Sequence, residues 1–201
     1  MKKGLLIAFE GIDGTGKSTQ IRLLADYLRK KGLQVVETRE PTDGPYGQKI
    51  HALYRNRGSC SLEQELDFFV QDRKQHVEEV IAPALAHGKI VLTDRYYFST
   101  VAYQGAAGLD PALIIAANDF APRPDLVVLL VMEPEESVRR IEKLRGDLLN
   151  DFEQVEQLHK VAALFSSFTE DYIVRINAAA PVRQVQTDIR LAVQPLLKGF
   201  S

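Results

Sequence analysis

Gly11-Ile12-Asp13-Gly14-Thr15-Gly16-Lys17-Ser18, one residue beyond the apolar run Leu5-Leu6-Ile7-Ala8-Phe9, decides how the chain folds. A stretch that is apolar at every position reads as a strand buried on both faces, as in parallel sheets covered by helices. After it, Ser18 to Leu28 carries apolar residues at Ile21, Leu24 or Ala25, and Leu28, which is helical spacing. The glycine spacing between strand and helix is that of a P-loop. Gly11 and Gly16 permit torsions closed to other residues, so successive N–H groups turn inward and cradle phosphate oxygens. Lys17 reaches the outer phosphates, and Ser18, in the first helical turn, offers its hydroxyl to Mg²⁺ beside the positive end of the helix. Gly11, Ile12, Asp13, Gly14, Thr15, Gly16, Lys17, Ser18 and Thr19 are therefore the expected nucleotide-phosphate site.

Working outward, residues 35–38, 90–93, 126–131 and 173–176 read as further strands, each separated from the next by helical patterns. Alternating strands and helices imply right-handed parallel crossovers and an open α/β sheet covered on both faces. The expected fold is a P-loop NTPase-type three-layer sandwich with a five-stranded parallel sheet. Ligands of such sheets bind beyond the carboxyl ends of the strands. Residues suited to phosphate chemistry follow the strands here: Arg39-Glu40 the second, Asp94-Arg95 the third, Glu133 the fourth.

The bulk properties narrow the class. A chain of 201 residues, 45% hydrophobic and without a linker-like composition break, suits one domain over residues 1–201. Its net charge of −2 gives no overall attraction to nucleic acid or anionic membrane and favours a small phosphorylated substrate. The single cysteine, Cys60, excludes an intramolecular disulfide framework and fits a reducing, cytoplasmic setting.

A second signal lies in the helical pattern from Ser61 to about His87. Its apolar stripe runs through Leu62, Leu66, Phe69, Val77, Val80 or Ile81, and Ala84, and the position continuing it between 69 and 77 is Arg73. A guanidinium on the core face needs an anion, either a substrate phosphate or a neighbouring carboxylate. Phe69, one turn earlier on the same face, suits stacking on a flat base or ordinary core packing.

With these residues placed, the chain resembles the thymidylate kinases over nearly its whole length. Phe9 to Thr19 is similar to the family P-loop, and Thr38-Arg39-Glu40-Pro41 to its T-R-E-P segment. Glu65 to Arg73 resembles the helix with a base-stacking Phe and a phosphate-binding Arg. Asp94-Arg95-Tyr96 with Ser99 to Gly105 resembles the D-R-Y and S-T-x-A-Y-Q-G stretch, and Arg123-Pro124-Asp125-Leu126 the opening of the fourth strand. The resemblance implies transfer of the ATP γ-phosphoryl to dTMP with Mg²⁺ by a homodimer. It implies that Phe69 stacks on thymine, Arg73 serves the base edge or monophosphate, and Arg39 and Arg95 hold the acceptor phosphate. By the same resemblance Ser99, Thr100 and Gln104 face the base, Tyr103 packs near the sugar, Asp13 positions the acceptor, and Asp94 supports Mg²⁺.

Three departures stand out. Thr42-Asp43 intervene before Gly44 where the family often continues with two glycines, and Leu130-Val131 replaces the usual Leu-Asp. The acidic lid segment D-R-[IF]-E has as its nearest counterpart Asn150-Asp151-Phe152-Glu153, without the Arg. In a lid over about 140–155, Arg145 is then the candidate for the catalytic charge, with Arg139, Arg140 and Lys143 nearby; Gly14 points the same way, since family members without an Arg in the P-loop tend to supply one from the lid. The sequence leaves two alternatives open, a kinase for another monophosphate such as dUMP and a non-catalytic nucleotide-binding protein.

Overall fold

The computed structural model describes residues 4–54, 59–145 and 154–200. Five strands, β1 (Leu5–Glu10), β2 (Val35–Arg39), β3 (Ile90–Asp94), β4 (Leu126–Val131) and β5 (Ile173–Asn177), form one parallel sheet in the order β2-β3-β1-β4-β5. The α/β class expected from the sequence is the fold found. All six residues of β1, the central strand, are buried, because helices cover both faces.

The alternation of side chains along the strands divides the core in two. On one face Leu6, Ala8, Val91, Val127 and Leu129 pack beneath α5 (Tyr97–Ala106), α6 (Pro111–Ala117) and α8 (Val155–Ser167). On the other, Leu5, Ile7, Phe9, Ile90 and Leu92 pack against α1 (Lys17–Lys30) and α9 (Val182–Val193). Two further helices, α2 (Pro45–Leu53) and α7 (Pro134–Arg145), flank the carboxyl end of the sheet, α2 between β2 and α3 (Leu62–His76) and α7 after β4.

The helical run expected from Ser61 starts at a capping box, with Gln64 N–H donating to Ser61 Oγ at 3.2 Å and Ser61 N–H to Gln64 Oε1 at 3.0 Å. It is not uniform. The run passes through a π turn, Val77–Ile81, into α4 (Ala82–Ala86). The widened turn lies just before Pro83, whose ring and missing N–H disturb α-helical bonding to the residue four back.

Four strands run one residue further than the apolar pattern alone indicates, ending at Glu10, Arg39, Asp94 and Asn177. Backbone pairing continues past the last apolar side chain: Phe9 and Arg39 both sit in register with Asp94. The polar residues expected in loops are in part strand ends, which fixes their spacing rigidly.

Candidate active site

At the carboxyl end of β1 the loop has the torsions its glycines suggest, with φ of +129° at Gly11 and +90° at Gly16. At Gly11 a β-carbon would stand 2.3 Å from the Leu130 carbonyl oxygen, so β4 leaves no room for a side chain. Thr15 closes the turn by donating to the Ile12 carbonyl at 2.9 Å. Lys17 is buried and donates to the Gly11 and Ile12 carbonyls, both at 3.0 Å, so its ammonium lies across the loop. Burial and the nearby Arg95 lower its pKa, against which Asp13, Asp94 and Glu10 favour the charged form.

Beside the loop, Asp13, Gly14, Gly16, Lys17, Ser18 and Thr19 share a cavity of about 340 Å³ with Arg39, Asp94 and Arg95. Glu40, Pro41, His51 and Tyr54 complete its wall. A phosphate-binding loop thus faces two arginines from the neighbouring strand ends. Ser18 Oγ donates to Asp94 Oδ2 at 2.5 Å, which sets two hard oxygen donors side by side. Such donors fit Mg²⁺, whose other ligands in nucleotide sites are phosphate oxygens and water. Among the described residues no cluster of three or more His, Cys, Asp or Glu forms a separate metal cage.

Arg95 has a left-handed backbone, φ +72°, the one non-glycine residue of this kind among those described. Its N–H is fixed on the Phe9 carbonyl at 2.9 Å. The guanidinium donates to Asp13 Oδ1 at 2.6 Å and to Ser99 Oγ at 3.0 Å, and lies 5.0 Å from the centre of the Tyr103 ring. Tyr103 donates to the other Asp13 oxygen at 3.1 Å. Burial alone raises the Asp13 carboxyl, but Arg95 and Lys17 hold it at about 2.

Apart from Arg39, the other residues named from the sequence do not line this cavity. Arg73 is fully buried, and of the two anions open to it the structure supplies the carboxylate: Glu40 Oε2 takes Nε at 2.8 Å and Nη2 at 2.5 Å. Asn118 and Thr100 accept from the same guanidinium at 2.6 and 3.0 Å. Thr100 is thereby turned to Arg73, while Ser99 donates to Glu10 Oε2 at 2.5 Å and Gln104 Nε2 donates to Glu65 at 2.9 Å. Among the described residues the buried Gln104 Oε1 meets no hydrogen-bond donor. Phe69 is partly buried on α3, one turn from Arg73. Arg39 is exposed and pairs with Asp43 at 2.6 Å.

The departure at Thr42-Asp43 is built into the site. Thr42 donates through its N–H and hydroxyl to Asp72, at 2.9 and 2.6 Å, and accepts from Gly44 N–H, so Thr42 ties the loop to α3. Ser137 of α7 donates to the Asp13 carbonyl. A β-carbon on Gly14, where φ is +77°, would meet the Ser137 carbonyl oxygen at 2.7 Å, so α7 rests directly on the P-loop. Arg145 is the last residue of α7, while its side chain and the segment Asn150-Asp151-Phe152-Glu153 lie outside the described residues. Of the site residues not expected from the sequence, His51, Tyr54, Ser137 and Asn118 belong to no motif or spacing pattern that marks a site, and only Glu10 carries a signal, as a charge ending an otherwise apolar strand.

The parallel sheet, the glycine loop and the arginine-lined cavity define a P-loop-type α/β protein. The sequence profile described as thymidylate kinase matches residues 9–189. The thymidylate kinase of Desulfotalea psychrophila is 53% identical over 195 residues, which span 97% of this chain and 96% of that one. Those of Xanthomonas campestris, 50% identical over 82% of this chain and 71% of theirs, and Akkermansia muciniphila, 45% over 96% and 92%, are also similar. The chain belongs to the thymidylate kinase family and is a phosphotransferase.

Proposed function

We propose that the protein transfers the γ-phosphoryl of ATP to dTMP, giving dTDP. The observation that carries this reading is the cavity that Lys17 and the glycine loop line together with Arg39 and Arg95. Phosphoryl transfer needs in-line placement and neutralised charge more than covalent help, because the acceptor's own phosphate oxygen attacks. Lys17 and the loop amides hold the donor, Arg39 and Arg95 bring up the acceptor dianion, and Asp13 orients Arg95 between them. Ser18 and Asp94 would hold Mg²⁺, which when bound would draw charge from the donor phosphates.

Phe69 stacks on thymine, and Tyr103 packs at the sugar. Arg73, Thr100 and Gln104 shape the base subsite from behind its wall, since their polar groups already face Glu40, Asn118 and Glu65. The basic end of α7, with Arg145, delivers the lid charge. Exposed Leu113 and Ile115 on α6, with Phe120 just beyond, support assembly as a homodimer, and the lone Cys60 fits work in the cytoplasm.

The test is a coupled assay with ATP, Mg²⁺ and a panel of monophosphates, run beside Lys17→Met. We expect dTMP to give the highest kcat/KM and Lys17→Met to fold but transfer no phosphoryl group. Faster turnover of dUMP or another monophosphate replaces the acceptor assignment, and wild-type rates in Lys17→Met overturn the phosphate role.

A further inference from the structure

We infer that Glu10 is a positioning residue: from the end of β1 its carboxylate caps helix α5 and, through Ser99, aims the Arg95 guanidinium into the phosphate cavity. The inference rests on the kinase reading in taking Arg95 as the acceptor's partner, while the geometry stands by itself. The first N–H groups of a helix have no partner inside it, and the residue preceding α5, Tyr96, makes no side-chain cap. Glu10 supplies one from another strand, Oε1 accepting from Tyr96 N–H at 2.9 Å and from Ser99 N–H at 3.2 Å. Its second oxygen takes the Ser99 hydroxyl at 2.5 Å.

That last bond decides what Ser99 offers to Arg95. A serine hydroxyl has one hydrogen and two lone pairs. With its hydrogen given to Glu10, it presents a lone pair to Arg95 Nη1, 3.0 Å away. The guanidinium is then held at three points, Ser99, Asp13 and the face of Tyr103, while its backbone sits in a conformation that surrounding contacts must enforce. Glu10 is fully buried, and burial pushes its carboxyl from 4.5 up to about 7 despite Ser99, Arg95, Lys17 and the Tyr96 amide. Arg95 and Lys17 are the charged groups that act on it. A protonated Glu10 donates to Ser99 Oγ instead, which reverses the hydroxyl and removes the carboxylate's pull on Arg95.

Glu10→Gln tests the link because it keeps volume and one carbonyl acceptor but sets an amide donor against Ser99 Oγ. Rates are measured against monophosphate and ATP across about pH 6 to 9 for wild type, Glu10→Gln, Ser99→Ala and the double variant. We expect the monophosphate KM to rise about tenfold in Glu10→Gln, the scale of one charge-assisted hydrogen bond, with the ATP KM within about twofold. Wild-type kcat/KM falls below a pH of about 7, and this limb disappears in Glu10→Gln. The ionisation of the monophosphate itself, at about 6, stays in both. In the double variant Glu10→Gln adds nothing to Ser99→Ala.

Additive effects in the cycle, or a pH profile unchanged by Glu10→Gln, overturn the inference and leave Glu10 a helix cap only. Should Glu10→Gln fail to fold, Ser99→Ala must itself lose the limb at about 7 or the inference is wrong. Should the wild type transfer to no monophosphate, the kinase reading falls separately. Calorimetric dTMP binding against pH in wild type and Glu10→Gln then decides the positioning role, with loss of the wild-type pH dependence in the variant expected and equal dependence in both overturning it.

Discussion

Two arginine–carboxylate pairs draw their partners from beyond the carboxyl ends of the same sheet's strands and serve opposite ends. Arg73–Glu40 is closed, at 2.5 Å with side chains 1% and 3% exposed, and Asn118, Thr100 and His76 complete its hydrogen bonds. Arg95–Asp13 has almost the same length, 2.6 Å, but its side chains are 17% and 26% exposed and line the phosphate cavity. The first pair has its anion inside the protein and ties α3 to the end of β2. The second keeps a guanidinium charged, oriented and reachable, with Asp13 holding the Arg95 pKa above its ordinary value against the effect of burial. Burial, more than distance, separates a structural arginine from one able to exchange partners with a phosphate.

The sharpest way to break this contrast is to remove each guanidinium in turn. Arg73→Ala strands the Glu40 carboxylate in the core, where breaking one side of a buried pair costs about 3–5 kcal/mol. Denaturant unfolding should show that loss, and replacing both partners with apolar residues should recover much of it. Arg95→Ala should cost less, at most about 2 kcal/mol, because water reaches Asp13. Its kcat/KM for the monophosphate should fall by ~10²–10³ from loss of a charged phosphate contact. Equal stability losses in the two variants abolish the distinction.

Acid is the next probe. The Asp13 carboxyl is raised by burial but brought down on balance by Arg95 and Lys17, from 3.8 to about 2. Since the folded value lies below the unfolded one, its stabilisation is complete above about pH 4 and is lost as pH falls through about 2. A shift of that size corresponds to about 2 kcal/mol. Asp13→Asn should therefore show a shallower decline in stability between those limits than wild type, and an unchanged acid slope removes Arg95–Asp13 as a source of stability.

Much of this was legible in the chain. The P-loop, the parallel sheet and the gathering of Arg39, Asp94 and Arg95 at strand ends followed from patterns with fixed periods, and an arginine on an apolar stripe announced a buried anion partner. Which anion it meets depends on bringing residue 40 beside residue 73, and no local pattern encodes that approach. Ser99 and Thr100 illustrate the same limit: adjacent on α5, one serves the open pair through Glu10 and the other the closed pair. Their division follows from the helix presenting neighbouring residues to different sides, which becomes specific only once β1 and α3 are packed against it.

Arg39 is the most exposed case and gives the smallest expected effect. Its pair with Asp43 is as short as the other two, 2.6 Å, but the side chains are 60% and 82% exposed. An exposed i,i+4 pair contributes on the order of 0.5 kcal/mol at most and is screened by salt. Asp43→Ala should leave unfolding unchanged within that amount. If Arg39 must leave Asp43 to meet the acceptor phosphate, the same substitution removes a competing anion, and the monophosphate KM should fall by about twofold at low ionic strength. The gain should vanish as salt is raised, since salt weakens the Arg39–Asp43 pair in the wild type as well. A rise in KM instead makes Asp43 a support that holds Arg39 toward the cavity, and moves this exposed pair to the same side of the comparison as Arg95–Asp13.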